Sequence, residues 1–420
     1  MATRIGRRAW LARGLGAAGV ALGGRLLGLR AGEEKGPALP GPDRSRQAPT
    51  SPVAITRCGS YEPKLLRRKL DETLNLVGGL KKLAEGKTVT VKLNLTGGPK
   101  AGPLGGLPPY LTYHVHPNIV AALCAALHDA GAKRIVLVES SYELRTAEEI
   151  LTDGGWDVRA IKAAGGGKVQ FIDTRYRGPF PKYSQLKVSF GGFIYPAFHV
   201  SQAYEKTDVF ISLAKMKDHG NAGVTMGAKN LFGMPPISLY GGDAPNENSV
   251  NYRGPILHFG EKKVPAGVPG ELNHGIKVGD WACRVPRVTA DTVGARPIDL
   301  VVIDGIVTNR GGEGPWLQGT EPMMPKLILA GRNVVATDAV CTAVMGYDPL
   351  ADHSQFPFMG ENHLRLLAAV GIGTNDPARI EVRGLSIREA LHPFNPKRLK
   401  LGEPLAWDRW NHGRLAATTA

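Results

Sequence analysis

The chain has only four cysteines, Cys58, Cys124, Cys283 and Cys341, and no two of them form a C-x-x-C pair. That spacing writes neither a zinc ribbon nor a ferredoxin-type cluster, so no iron–sulfur cluster is expected. H-E-x-x-H and calcium-loop spacings are also missing. The run Gly86-Lys87-Thr88 ends like a phosphate-binding loop, but the position that must be glycine is Lys81. No G-x-S-x-G elbow occurs, so a serine hydrolase is unsupported. Aromatic residues make up only 7% and are not interleaved with clustered Lys/Arg, which argues against a nucleic-acid partner. No apolar run reaches the roughly 20 residues that a membrane helix needs, so no stable membrane span is expected in the mature chain.

What is present begins with charge. The 420 residues carry a formal net charge of +15. Arg4, Arg7, Arg8, Arg13, Arg25 and Arg30 fall in the first thirty residues, which hold no acid; without them 46 basic residues face 37 acidic ones. The remainder is basic but mixed in sign, as suits a small anionic ligand or surface. Residues 1–30 read as an export signal: Arg7-Arg8, then a short, weakly apolar Gly/Ala-rich run from Gly14 to Gly24. Paired arginines with mild hydrophobicity resemble a twin-arginine (Tat) leader, so an exported, periplasmic protein is expected. The letters Gly14-Leu15-Gly16-Ala17-Ala18-Gly19 match a dinucleotide fingerprint, but no strand precedes them. Residues 31–52, rich in Pro, Gly and charge, read as a flexible linker. A Cys58–Cys283 disulfide is compatible with export, and Cys124 and Cys341 fall in apolar helical patterns as core residues.

From residue 53 to 400 short apolar runs alternate with helical ones. Val89 to Leu95, Arg134 to Val138, Val169 to Ile172, Phe193 to Val200, Asp208 to Ala214, Ile298 to Asp304, Lys326 to Ala330 and Arg379 to Val382 read as strands. Pro117 to Ala130, Thr146 to Leu151, Val334 to Met345 and His363 to Val370 read as helices. This alternation predicts an α/β fold with a mainly parallel sheet flanked by helices. Residues 234–296 break the rhythm with Gly, Pro and Asn and predict a long irregular insertion over the site. Residues 401–420 read as a C-terminal tail.

The most informative stretch is Asp208 to Gly233, DVFISLAKMKDHGNAGVTMGAKNLFG. It predicts a strand, a polar turn with Lys215, Lys217, Asp218, His219 and Asn221, and then a helix. Such a turn lies at a strand's carboxyl end and a helix's amino end, where open α/β sheets bind anions. Lys229 follows Thr225 by four residues, on the same helix face, with Asn230 beside it. Lys92 and Asn94 share a strand face, and an inward Lys is costly unless paired or near a ligand. Glu139 ends the next strand, on the same edge if the sheet is parallel. Asp304, Glu313 and Asp338 are expected together as an oxygen-rich divalent-metal site. His114 and His116 read as surface or loop residues.

These elements resemble the DUF362 family, named for its unknown function. The resemblance lies in Lys215-x-Lys217-x-His219-Gly220, then Gly223-Val224-Thr225, then Lys229-Asn230-Leu231-Phe232-Gly233. A V-K-x-N element (Lys92, Asn94), Asp304-Gly305 followed by Gly312-Glu313-Gly314-Pro315, and Asp338 match the family's later features. Many members carry an appended ferredoxin-like cysteine cluster, and this chain does not.

Two functions follow as expectations. In one, the protein is an exported enzyme on a small anionic substrate: Lys92, Asn94, Glu139, Lys215, Lys217, Lys229 and Asn230 hold the ligand, His219 is the acid/base and Asp304 orients it or a metal. In the other, the same lysines capture an anionic ligand or cofactor without chemistry. A redox-associated role is weaker, because the cysteines it would need are missing.

Overall fold

The computed structural model describes residues 38–98, 101–353 and 355–395. The leader at 1–30, the first part of the linker and the tail at 401–420 lie outside them.

Alternating Val, Ile and Thr build the strands, numbered β1 (Val53–Arg57), β2 (Thr88–Lys92), β3 (Arg134–Glu139), β4 (Val169–Asp173), β5 (Tyr183–Lys187), β6 (Ala197–Ser201), β7 (Val209–His219), β8 (Gly223–Val224), β9 (Leu300–Arg310), β10 (Glu321–Met323), β11 (Leu327–Gly331) and β12 (Val382–Gly384). The main sheet runs β12-β1-β11-β9-β7-β2-β3-β4. Strands β4, β3, β2, β7 and β9 are mutually parallel. Strand β11 is antiparallel to β9 and β1, and β12 returns parallel to β1. The α/β class holds, with a mixed and mostly parallel sheet.

Helices cover both faces, as both-sided burial of a parallel sheet requires. On one face Leu66, Leu70, Ile119, Leu123 and Ile161 pack on Val89, Val91, Ile211, Leu213 and Val302. On the other, Val285, Val288, Ala339, Val340 and Leu367 pack on Phe210, Val301, Ile303 and Leu329. Chain order places β3 and β4 to one side of β2 and β7 to the other. The carboxyl ends of β2 and β7 therefore form the sheet's switch point, where such folds open a crevice.

Several elements differ from expectation. Strand β7 does not stop at Ala214 but continues to His219, so Lys215, Lys217 and Asp218 are strand residues rather than turn residues. Neighbours β9 and β8 supply backbone partners along this extension. The stretch near Phe193 to Val200 is not in the main sheet; β6 pairs only with β5 in a small separate sheet. The irregular insertion contains a 15-residue helix, Trp281–Ala295. Its period was hidden because Arg284, Arg287 and Asp291 are buried polar residues. Each has a partner: Glu271 for Arg284 at 2.5 Å, Glu361 for Arg287 at 2.6 Å, and the N–H groups of Phe193, Ile194 and Tyr195 for Asp291. Within the stretch read as a flexible linker, Ser45–Gln47 forms a 3₁₀ turn. The Arg379 guanidinium donates to Ser45 and Ala48 carbonyls and the Arg44 N–H donates to Ala369, so this part is docked. Cys58 and Cys283 are buried free thiols, not a disulfide.

Candidate functional site

Two clusters of charge occupy the carboxyl end of β7. The first is closed. Lys215 is fully buried, and its Nζ donates to Asp304 Oδ2 at 2.9 Å and to the Tyr61 hydroxyl at 3.1 Å. Tyr61 donates to Asp304 Oδ1 at 2.6 Å, and the same carboxylate accepts N–H bonds from His116 and Ile306. The His116 ring stacks on Tyr61 with centroids 3.8 Å apart. Asn94 joins in through its side-chain oxygen, which accepts the Lys215 N–H at 3.3 Å. Every lone pair of Asp304 that faces the core is occupied by the chain itself, so the aspartate expected to act in catalysis holds Lys215.

The second cluster is unbalanced. Lys217 Nζ donates only to uncharged oxygens: the Tyr113 carbonyl at 2.7 Å, the Thr96 hydroxyl at 3.2 Å and the Glu313 carbonyl at 3.3 Å. Those three acceptors use all the N–H groups of an ammonium. Lys229, also buried, has no hydrogen-bond or ion-pair partner among the described residues; its Nζ lies 4.0 Å from the Phe232 ring centroid. Burial pulls both lysines down to about 7, with the Glu313 carboxylate opposing it. Arg253, from the insertion, reaches into this region and donates to the Ser140 and Tyr142 hydroxyls and the Gly233 and Pro235 carbonyls, all neutral. Lys92 pairs with Glu139 at 2.5 Å, and that carboxylate also accepts the N–H groups of Leu95 and Ser140. Asn230 donates to Ser212 Oγ and the Lys92 carbonyl, tying the helix Met226–Asn230 to β2 and β7.

His219 ends β7 in this second cluster. Its Nδ1 accepts the Asn221 N–H at 3.1 Å and stands 3.6 Å from Glu313 Oε2. Burial, then the charges of Lys229 and Lys217, hold its pKa well below the ordinary histidine value, so the ring is neutral. Glu313 is itself placed by the Gly220 N–H at 2.9 Å and the Trp316 indole N–H at 3.1 Å.

The structure corrects four expectations about site residues. The amino end of the helix Met226–Asn230 is not open to an anion: Asp338 Oδ1 and Oδ2 accept the Gly227 and Ala228 N–H groups at 2.9 and 2.8 Å. The chain's own carboxylate fills the place expected for a ligand, and it steadies Met226, whose φ is +39°. Asp304, Glu313 and Asp338 do not converge on a metal site, because each is committed to a different set of donors; among the described residues no three His, Cys, Asp or Glu side chains form a metal-binding group. His114 and His116 do lie in a loop, just before the helix Pro117–Asp129, but they are buried rather than on the surface, with His114 Nε2 2.8 Å from the Thr96 carbonyl. Lys217 lies at the site but has no N–H left for a ligand. Sequence reading missed Tyr61, Tyr113 and Arg253, and also His258 and His363, both held to about 3 by burial and then by the charge of Lys229. None sits in a spaced motif, and Arg253 lies in the stretch that looked structureless.

Among the described residues no helix is long and apolar enough to cross a membrane. A thylakoid-associated protein of Synechocystis sp. is 26% identical over 300 residues, which is 71% of this chain and 75% of that protein. Among solved structures, the lactate racemase apoprotein from Thermoanaerobacterium thermosaccharolyticum aligns at 12% identity and a TM-score of 0.34. The alignment covers 65% of this chain and 54% of the racemase, so this chain spans about half of that protein's length. A protein from Thermotoga maritima aligns at 12% identity and a TM-score of 0.35, over 76% of this chain and 84% of that one. The family model "Domain of unknown function (DUF362)" matches residues 89–343, more than half of the sequence and the stretch that holds Lys92, Lys215, Lys217, His219 and Lys229, and the chain therefore belongs to the DUF362 family.

Proposed function

We propose that the protein is an enzyme acting on a small anionic substrate, which enters at the carboxyl ends of β2 and β7. Lys229 contacts the anion, Lys217 and Arg253 supply the positive field, and His219 is the acid/base group. One observation carries this reading: Lys217, Lys229 and Arg253 are buried cations that donate to no carboxylate among the described residues. Buried cations that pair with no carboxylate and share only the field of Glu313 are costly, and a bound anion relieves that cost for all three at once. Phosphate is a convenient probe. Its addition is expected to raise the melting temperature of the wild-type protein more than chloride does at equal ionic strength. Lys229→Met is expected to lose that rise, and a wild-type protein indifferent to phosphate sinks the proposal.

The second reading, an anion-binding protein without chemistry, rests on His219. Its Nδ1 already accepts the Asn221 N–H, and the ring is held neutral. His219→Gln separates the two. Under the enzyme reading the variant keeps the phosphate response but no longer depletes the metabolite that the wild type consumes from a native extract. A wild type that consumes nothing favours binding alone. Export belongs to the same proposal, supported by Arg7-Arg8 and the short apolar run behind them. Cell fractionation with amino-terminal sequencing tests it, and a cytoplasmic chain that keeps its first thirty residues removes it.

A further inference from the structure

We propose that Lys229 is a nucleophilic amine, which forms an imine with the carbonyl carbon of a small carboxylate-bearing aldehyde or ketone. The inference rests on the anion-site reading and narrows its substrate to anions that carry a carbonyl group.

The geometry distinguishes Lys229 from every other buried lysine at this sheet edge. Lys92 is held by Glu139 and the Leu93 carbonyl, Lys215 by Asp304 and Tyr61, and Lys217 by three oxygens. Only Lys229 lacks an acceptor among the described residues, and its Nζ lies 4.0 Å from the Phe232 ring centroid. An ammonium needs acceptors for its N–H groups, whereas a neutral amine tolerates an apolar, cation-flanked place. Desolvation brings Lys229 down to about 7 against the opposing Glu313 carboxylate, with Arg253 and Lys92 adding to the lowering, so a substantial neutral fraction is present near neutral pH. A desolvated lysine beside other cations is the usual setting for an amine nucleophile.

The step balances without an added reactant. The Lys229 lone pair forms the C–N bond as the C=O π bond opens, and the carbonyl oxygen takes one proton from the nitrogen. The resulting carbinolamine loses its hydroxyl together with the second N–H proton as water, leaving C=N. Positive charge from Arg253 and Lys217 faces the substrate carboxylate, and Arg253 keeps an uncommitted N–H for it.

Reductive trapping of the full chain tests this, with glyoxylate as the probe carbonyl acid and cyanoborohydride as the reductant, read by intact mass and peptide mapping. The expected result is one carboxymethyl group on Lys229, formed before surface lysines react. Its rate should rise with a midpoint near the Lys229 value of about 7 rather than that of surface amines. Phosphate should slow it, and Lys229→Arg should abolish it. If phosphate raises the melting temperature but Lys229 stays unmodified, the nucleophile is overturned and the anion site stands. Modification spread evenly over surface lysines overturns it equally. If Lys229 is trapped but phosphate has no effect, the nucleophile stands and the phosphate-type anion reading falls. If neither occurs, both are wrong.

Discussion

Lys215 and Lys217 stand two residues apart on one strand, and both are fully buried. Their surroundings differ in one respect. Lys215 is matched by Asp304, whose oxygens also take Tyr61 and two backbone N–H groups. Lys217 meets three neutral oxygens and shares Glu313's influence with Lys229. The closed cluster completes its own charge balance and so belongs to the scaffold. The unbalanced one leaves positive charge over, and that surplus is what a ligand can use.

The largest effect should come from opening the closed cluster. Asp304→Asn leaves Lys215 buried without its counter-charge and is expected to cost about 3–5 kcal/mol, measured by denaturant unfolding. A loss under about 1 kcal/mol would erase the distinction between the clusters. Lys229→Met should do the reverse: unfolding stability unchanged or slightly higher, with phosphate affinity down at least about tenfold, or about 1.4 kcal/mol.

Acidity sharpens the contrast. Lys217 and Lys229, pulled by burial to about 7 in the folded chain, return to their ordinary value of 10.5 on unfolding. Between those values the unfolded chain binds more protons, so this part of the stability rises with pH across that window. Phosphate binding needs the charged ammonium and should fade above about 7. Unfolding and phosphate titrations at pH 6, 7.5 and 9 check both slopes, and binding undiminished at pH 9 contradicts the assignment. Tyr61→Phe is the mildest test of the closed cluster: loss of the hydroxyl that donates to Asp304 and accepts from Lys215 and the Val307 N–H should cost about 1–3 kcal/mol without touching the phosphate response.

Much of the scaffold was legible because strand and helix periodicities are local. The helix Pro117–Asp129 and the cap of Val334–Val344 by Asn333 appear where Pro at a first turn and Asn at an amino cap place them. The helix Trp281–Ala295 escaped because its polar residues face partners inside the protein, which erases the amphipathic signal. At the site, Lys217, His219 and Lys229 were found as a group, but Asp304 and Asp338 were misjudged. A carboxylate's role depends on which donors reach it, and those donors come from Tyr61, His116, Gly227 and Ala228, up to 243 residues away.

By itself the sequence determined the family, the α/β alternation and the density of cationic side chains around β7, all of them properties of neighbouring residues. Tertiary structure alone decided which of those cations would be neutralised. Charge pairing is settled by a few ångströms of space, and only the placing of β1, β9 and β7 in one sheet with their carboxyl ends on the same edge brings Tyr61, Asp304 and Lys215 together while Lys229 is left without an acceptor among the described residues.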